Sequence, residues 1–577
     1  MLPPLTQNEH HRFVNLIPRH IIKPQLTKTQ ELHLISKFPI VPRAPKEAPP
    51  RPGIALASRL SFEMLHCPIS GGCPCHTLSQ AETELAAAKA IVERLSLQTY
   101  RLKSTINAAH DPLTHRLPRE LASRIFTFCT PGDYRDQFCS TLSLVCTAWR
   151  DIACSTPDLW NVISMRLRSL ESASILQHTE DFLRRSGCLP LILEIKTHKD
   201  EDLSKFPSAV FYPLIDALNL HSHRWRTLGM CIPFLLTSRL NGSSPNGTYQ
   251  LYHLTIESSG RYTDAVSRIG FGSPFGQKMR PAKVEMSGLY LEAVQIDWRH
   301  VKRVRVDSLS VGECLELLRL APELRKLWVR NIYQDDSLEV QSSLTTHYSL
   351  KKLECSFWYP TFILYDRLIL PALETLLIEG KGPYDSLERL LTRSSCRVSK
   401  FHLLETRGDN CSLIPVLRAM PYLEDLLLWD LDSYHEIGEL CALMASTAVH
   451  PPVSDPSTLF LSQLKSFNYS GYQDLLWETI PSWFPPADMN PDTLYRPLTT
   501  LKIMVFIDRL QGADCFIDRD SLPGLLELAH REDGPSVEIV NINDSKAEDF
   551  IEASRKYHNL PRVGPDSEDE EDESDGD

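Results

Sequence analysis

Several kinds of segment are missing from this 577-residue sequence. No apolar run approaches the roughly 18 consecutive residues of a membrane-spanning helix. The first residues contain no continuous apolar segment of the secretory type; they are basic and acid-poor, so a transit peptide is the less favoured alternative. The 15 cysteines are odd in number and scattered through apolar stretches, which is typical of reduced thiols in a core. We therefore expect an intracellular protein, cytoplasmic or nuclear, with no membrane contact.

The common catalytic and nucleotide-binding motifs are also missing. Gly380-Lys381 is not preceded by the glycine loop of a phosphate-binding motif, and no G-x-S-x-G nucleophile elbow is present. His435-Glu436 lacks the second histidine of a zinc protease motif. We therefore predict no catalytic residue, no cofactor and no enzymatic activity, although a hydrolase-like α/β domain with an unrecognised site remains a third alternative.

The charge is concentrated at one end of the chain. The formal net charge is −12, and the last twelve residues, DSEDEEDESDGD, contain nine acids and no base. The remainder is close to neutral, which gives no sign of a surface that binds nucleic acid. We interpret residues 556–577 as a disordered acidic tail in solvent.

Residues 1–78 are rich in proline and are predicted to be disordered. Near their end stand Cys67, Cys73, Cys75 and His76, which are zinc-ligand types. Their spacing lacks the usual C-x2-C pairs, so we predict no metal site and leave open whether this cluster binds one.

Residues 79–110 form a predicted helix with a heptad pattern. Leu85, Val92, Thr99 and Ile106 repeat every seven residues, and a second seam position holds Ala88, Leu95 and Leu102. The pattern fits a short coiled coil, or a helix that packs on the segment that follows. The second interpretation is slightly favoured because the seam contains an alanine and a threonine.

Two short amphipathic helices are predicted within the segment that starts at Leu117. The first opens with Leu117-Pro118 and repeats apolar residues at Leu121, Ile125 and Phe128. The second is predicted from about Phe138 to Cys154, followed by Pro157 and Leu159-Trp160. An ordinary helical hairpin of a larger core is the alternative.

This pattern consists of L-P-x-E-L, then L-x-L-V-C-x-x-W-R, then L-W. It resembles the F-box family. The resemblance implies that residues 113–165 dock on a Skp-type adaptor of a cullin–RING ubiquitin ligase. The heptad helix ahead of this segment resembles the layout of F-box-like proteins abundant in mushroom-forming fungi. The expected adaptor contact is an apolar patch with aromatic anchors. It comprises Leu117, Pro118, Leu121, Ile125, Leu144, Val145, Cys146, Trp149 and Trp160.

Residues 170–555 contain a repeated strand pattern of apolar positions at i, i+3 and i+5. The clearest copies begin at Val301, Leu324, Leu350, Leu373, Val398 and Leu423, so they are spaced 23, 26, 23, 25 and 25 residues apart. This period lies in the range of leucine-rich repeats. Weaker copies begin near Leu191, Leu228, Leu251, Pro281, Leu464, Leu498 and Gly534. We predict an α/β protein: a helical F-box module followed by an irregular leucine-rich-repeat-like solenoid of parallel strands with convex-side helices.

The strands of such a solenoid expose alternate side chains on a concave face, which is the natural surface for binding a target protein. In the predicted register this face is mixed in charge without a continuous basic stripe, so it suits protein better than nucleic acid. The predicted residues are Arg303, Arg305, Lys326, Trp328, Lys352, Glu354, His402 and Asp425, with Glu374, Leu377, Lys400 and Leu427 beside them.

Together these features predict a non-catalytic substrate-recognition subunit of a Skp–cullin–F-box ubiquitin ligase. Its F-box would bind the adaptor, and its repeats would bind an unknown target protein. The alternative is a repeat scaffold whose F-box-like domain no longer binds the adaptor.

Overall fold

The structure is a computed structural model that describes most of the chain between residues 74 and 560. Residues 561–577 of the predicted tail 556–577 and the cluster residues Cys67 and Cys73 lie outside the described part, whereas 556 and 557 belong to a helix. Residues 449–458 and 486–494 also lie outside the described part. The described ranges are 74–130, 135–168, 172–198, 206–242, 250–257, 269–270, 278–334, 343–357, 363–380, 384–404, 412–429, 434–448, 459–471, 475–485, 495–506, 516–531, 534–543 and 546–560.

The first described α-helix is by far the longest, with 37 residues. The helices are α1 (Pro74–His110), α2 (Pro112–Arg116), α3 (Arg119–Phe128), α4 (Arg135–Val145), α5 (Thr147–Cys154), α6 (Ser172–Arg185), α7 (Tyr212–Leu220), α8 (Phe234–Arg239), α9 (Val311–Leu320), α10 (Ile363–Asp366), α11 (Tyr384–Ser394), α12 (Ile414–Arg418), α13 (Tyr434–Ala448), α14 (Leu522–Ala529) and α15 (Phe550–Tyr557).

The β-strands begin just after the last of the first five helices. The strands are β1 (Val162–Leu167), β2 (Leu191–Thr197), β3 (Trp225–Cys231), β4 (His253–Glu257), β5 (Ile269–Gly270), β6 (Lys283–Ser287), β7 (Val294–Gln295), β8 (Arg303–Ser310), β9 (Lys326–Tyr333), β10 (Thr345–Thr346), β11 (Lys352–Phe357), β12 (Leu368–Ile369), β13 (Thr375–Gly380), β14 (Lys400–Leu404), β15 (Asp425–Trp429), β16 (Ser466–Gly471), β17 (Thr500–Phe506), β18 (Ser536–Asn543) and β19 (Lys546–Asp549).

The described residues fall into two compact units. The first contains residues 74–122 and 140–152, and the second contains 123–139 and 153–560. The first unit is helical. The second contains the strands, of which fifteen form one sheet in the order β1-β2-β3-β4-β6-β8-β9-β11-β13-β14-β15-β16-β17-β18-β19.

Strand order in the large sheet follows chain order, and neighbours are parallel except for the final pair, β18 and β19. A doubly wound domain would reverse its strand order at a switch point, and the large sheet of the described residues has no such reversal. Helices lie between successive strands, which makes this an α/β solenoid-like repeat fold. The predicted fold class is therefore confirmed.

The predicted repeats are neighbouring strands in register. Val304 pairs with Leu327, and the ladder continues through residues 353, 376, 401 and 426. These side chains are buried, as are those two positions further along each strand. The period-2 alternation between apolar and polar side chains, read from the sequence, therefore gives the face of the sheet that forms the core.

Three details differ from the sequence predictions. The sheet begins at Val162, not at residue 170, because the end of the predicted F-box segment is already strand β1. The predicted disorder over 1–78 overlaps α1, whose first residue is Pro74. On β13 the position beside Leu377 on the less buried face is held by Thr375, whereas Glu374 precedes the strand.

The interleaved helices complete the core. Helix α9 begins with a capping box, in which Ser310 Oγ accepts from the backbone N–H of Glu313 and the Glu313 carboxylate accepts from the N–H of Ser310. The helix then buries leucines such as Leu317 and Leu318. None of the helices in the described ranges combines the length and apolar character needed to cross a bilayer.

Candidate functional site

A hydrogen-bonded pair holds the start of the predicted F-box segment. Asp111 accepts from the backbone N–H groups of Leu113 and Thr114, which caps helix α2. Its Oδ2 also accepts from Trp149 Nε1 at 2.6 Å. Burial raises the pKa of Asp111. The hydrogen bonds from Thr114, Trp149 and the backbone together lower the pKa by more than burial raises it, so it lies below the ordinary value of 3.8. The carboxylate therefore fixes Trp149 against the start of α2.

Helix α3 begins after Pro118, whose carbonyl accepts from the N–H groups of Leu121 and Ala122. Pro118 is exposed and Leu117 is half-buried. Leu121 is 44% exposed, which is a large exposure for a leucine in the first turns of an amphipathic helix. The Arg119 guanidinium donates to the Asp151 carbonyl at 2.9 Å and ties α3 to α5.

The second predicted helix is two helices, α4 and α5, with a break at Cys146. Cys146 is buried, and its Sγ accepts from the Trp149 N–H at 3.4 Å, which satisfies a free donor at the start of α5. Arg150 Nε donates to the Ser143 carbonyl across the break. Just before it, Leu144 is 49% exposed and Val145 is half-buried.

Trp160 has an interior position in the second unit. Its side chain is 2% exposed, and Nε1 donates to the Ala153 carbonyl at 2.7 Å. Phe182 packs edge-on against its ring, with 4.8 Å between centroids, and the Arg185 guanidinium lies 4.4 Å from the ring centroid. Trp160 therefore stabilises the start of the sheet domain.

The nine predicted adaptor-contact residues thus fall into two groups. Cys146 and Trp160 are interior, so we revise their role from contact to support. Ile125 is half-buried on α3, and Phe128, seven positions after Leu121 on that helix, is 87% exposed. The helical spacing of Phe128 was visible in the sequence, although it was not among the predicted contacts. Of the nine, those that present surface in the first unit are Leu117, Pro118, Leu121, Leu144, Val145 and Trp149.

The second candidate surface is the less buried face of the large sheet. All eight residues predicted for target binding lie on strands β8, β9, β11, β14 and β15, at positions that alternate with the buried ones. In register, Arg303 neighbours Lys326, which neighbours Lys352. In the next row, Arg305 neighbours Trp328, which neighbours Glu354. The structure therefore brings these six side chains together on three adjacent strands.

The sheet register also gathers basic residues that the sequence pattern had spread out. Lys302 and Arg325 immediately precede β8 and β9, and the Arg325 N–H donates to the Lys302 carbonyl at 2.9 Å. With Arg303 and Lys326 they form four exposed cations at the starts of two neighbouring strands. Within the described residues, no carboxylate lies within ion-pair distance of these four. We call this group the basic cluster (Lys302, Arg303, Arg325 and Lys326).

Several charges elsewhere on this face form ion pairs. Lys352 contacts Glu354, and Lys351 lies 2.6 Å from Glu374. The interaction with His402 lowers the pKa of Asp425 more than burial raises it, and Lys400, 3.4 Å away, lowers it further. The face is therefore mixed in charge, as predicted, with the unpaired basic cluster at one place.

An aromatic side chain borders the basic cluster. The Arg305 guanidinium lies 4.1 Å from the centroid of the Trp328 ring, a cation–π arrangement. This stacking fixes both side chains on the exposed face, where they provide a rigid, partly apolar contact area next to the cations.

Burial raises the pKa of several described cysteines and so disfavours their thiolate form. Six of the ten are buried, and burial raises the pKa of Cys355 and Cys441 to about 12. The described residues contain no group of three or more His, Cys, Asp or Glu side chains arranged to hold a metal ion. Cys75 lies at the start of α1. The other two cysteines of its predicted cluster, Cys67 and Cys73, lie outside the described ranges.

Comparison with protein families agrees with the sequence pattern. Residues 114–166 match the family described as F-box-like, so the chain contains an F-box-like domain there. The match begins within α2 and ends within β1. Domains of this kind typically occur in non-catalytic adaptor subunits and generally bind Skp-type adaptors. No curated protein matches the chain.

Proposed function

We propose that this chain is a non-catalytic substrate receptor of a Skp–cullin–F-box ubiquitin ligase. The F-box-like domain at 114–166, followed directly by a large solenoid-like sheet, carries this proposal. The domain binds the Skp-type adaptor, and the exposed face of the leucine-rich-repeat-like sheet binds the target inside the cell. Other subunits carry out the transfer of ubiquitin.

The adaptor contact is centred on the exposed leucines of the first unit. Leu121 and Leu144 each leave almost half of their surface uncovered, next to the half-buried Leu117 and Val145. Exposed apolar side chains next to an ordered Trp149 provide the apolar centre that stable interfaces need. Hydrogen bonds to Cys146 and Asp111 hold Trp149 in place beside these leucines.

The target surface is the face around the basic cluster. Four unpaired cations need anionic partners to offset their desolvation in an interface. We therefore infer that the target contributes a segment with acidic side chains. Arg305 and Trp328 add a rigid aromatic contact beside the cations. A nucleic acid is disfavoured, since Glu354 and the paired carboxylates lie on the same face.

Binding to a purified Skp-type adaptor, measured by calorimetry, tests the proposed function. We expect wild-type chain to bind and Leu121→Glu and Leu144→Glu each to weaken binding by at least tenfold, because a buried charge is costly. Leu220→Glu is the matched control, since Leu220 is exposed on α7 in the sheet domain and should leave binding unchanged.

A variant that combined Pro118→Ala with Trp149→Ala would test the adaptor contact less directly than these leucine variants do. The loss of Trp149 also removes a hydrogen bond to Asp111, so a binding defect could reflect unfolding. Absence of binding by the wild-type chain would instead favour a repeat scaffold that no longer binds the adaptor. Unchanged binding in both leucine variants would place the contact elsewhere.

A further inference from the structure

Helix α1 presents an uncovered apolar stripe along its length. It has 37 residues, which corresponds to about 55 Å of helix. Leu85, Val92 and Ile106 are each more than half exposed. The same holds for Leu95 and Leu102 at the second seam position. With Leu78 one heptad earlier, the stripe spans more than four heptads without a described segment packed over it.

This exposure overturns the favoured sequence interpretation that α1 packs on the segment that follows. A helix packed on the F-box helices of its unit would bury one seam, but both seam positions are exposed. The helix therefore does not cover Leu121 or Leu144, which leaves the proposed adaptor surface accessible. An isolated helix with such a stripe is stabilised when a partner buries it.

The seam residues select the kind of partner. In the second half of the stripe the a positions hold the β-branched Val92, Thr99 and Ile106, and the d positions hold Leu95 and Leu102. β-Branched residues at a with leucine at d favour two parallel strands. The stripe is thus complementary to an identical stripe in the same direction.

The flanking charges agree with a parallel, in-register pair. Glu84 occupies a g position, and Lys89, five residues later, occupies the following e position. In a parallel dimer the g residue of one helix faces that e residue of the other. Glu84 of each copy therefore faces Lys89 of the other copy, which gives two attractive pairs. The next such positions, Ile91 with Ser96 and Gln98 with Lys103, bring no like charges together.

We propose that α1 is a dimerisation helix that forms a parallel two-stranded coiled coil with a second copy of this chain. The coil buries the stripe from Leu78 to Ile106. Because Asp111 alone separates α1 from α2, both F-box-like domains then start from the same end of the coil. This inference does not depend on adaptor binding.

Two leucines of equal exposure allow a matched test. Leu95 lies in the seam and Leu97 at position f on the opposite side, and each is 51% exposed. We expect analytical ultracentrifugation of the full chain to give a dimer for wild type and Leu97→Glu, and a monomer for Leu95→Glu. Circular dichroism checks that the sheet domain stays folded. A monomeric wild type at tens of micromolar, or equal behaviour of both variants, overturns the proposal.

A charge exchange tests the parallel register. Glu84→Lys and Lys89→Glu each place like charges opposite one another in a homodimer, and each should weaken it several-fold. Mixing the two variants restores both attractive pairs in the heterodimer. Recovery of wild-type dimer affinity in the mixture supports the register. Weakened homodimers without recovery, or homodimers as tight as wild type, overturn it in favour of an antiparallel pair.

Discussion

At the scale of single residues, Asp111 and Trp149 have an effect beyond their own position. Trp149 donates to Asp111 Oδ2, while its backbone N–H donates to Cys146 Sγ. One tryptophan therefore links the cap of α2 with the break between α4 and α5. The exposed leucines on α3 and α4 depend on this link because Arg119 and Arg150 tie both helices to α5.

We predict that Asp111→Asn lowers the free energy of unfolding by about 1–2 kcal/mol at pH 7, because it weakens a helix cap and a partly buried charged hydrogen bond. The folded-state pKa of Asp111 is depressed, so its stabilisation is complete above the ordinary value of 3.8 and is lost as pH falls through the lower folded-state pKa. Urea unfolding should therefore show a difference between wild type and variant that shrinks below pH 3.8.

The exposed Asp520 supplies the control for this prediction. Asp520→Asn should change the free energy of unfolding by less than about 0.5 kcal/mol at either pH. A wild-type-like unfolding midpoint for Asp111→Asn at pH 7 would mean that the bond to Trp149 contributes no stability.

Residue roles inside the F-box-like motif show a limit of sequence reasoning. The motif spacing predicted which residues belong to the domain, and the family match confirmed the domain. It gave no information on which apolar residues are covered, because Trp160 is buried by Phe182 and Arg185 from α6, a helix outside the motif. Burial of Cys146 likewise depends on a helix break that the periodicity of 138–154 conceals.

At the scale of elements, two adjacent leucines on β13 allow the effect of a core position on stability to be compared with that of a surface position. Leu376 is fully buried, whereas Leu377 lies on the less buried face. We predict that Leu376→Ala lowers the free energy of unfolding by about 2–5 kcal/mol because it opens a cavity, and that Leu377→Ala costs about 1 kcal/mol or less. Chemical denaturation followed by circular dichroism measures both. Equal costs would show that the register on β13 is wrong.

The basic cluster gives a prediction about binding chemistry. A peptide with the sequence of residues 566–577, DSEDEEDESDGD, is a suitable acidic probe because it contains nine carboxylates. We expect fluorescence anisotropy to detect weak, salt-sensitive binding that Arg303→Glu with Lys326→Glu reduces by tenfold or more. Arg519→Glu with Lys556→Glu, two exposed positions outside the basic cluster, changes the net charge by the same amount and is the control. Stronger binding of a single-stranded RNA of equal charge would assign the cluster to nucleic acid.

Elements of the sheet were predictable to the extent that they repeat. Six strands share a period of 23 to 26 residues, and all six are neighbours in the sheet. Strand β1 escaped prediction because its sequence also completes the F-box-like motif, and the two-residue strands β10 and β12 are too short to show a period. The basic cluster required the register, since Lys302 and Arg325 precede their strands.

At the scale of the whole molecule, three features act in series: a helix with a dimerisation stripe, an F-box-like domain and a solenoid-like sheet. In the proposed parallel coil two F-box-like domains start from one end, so a dimer would carry two proposed adaptor sites and two proposed target-binding faces. Two linked faces raise the effective affinity for a target with two acidic segments, provided both can be reached together.

The stoichiometry of the adaptor complex follows from this arrangement. We predict that light scattering of the full chain with excess Skp-type adaptor gives a mass for two 65.6 kDa chains with two adaptors. Leu95→Glu should give one chain with one adaptor and an unchanged dissociation constant per site, because Leu95 lies on α1 and is not among the proposed adaptor-contact residues. Leu97→Glu should retain the wild-type mass.

Two chains with a single adaptor would show that the coil blocks one F-box-like domain. Weaker adaptor binding in Leu95→Glu alone would show that dimerisation helps to form the adaptor site.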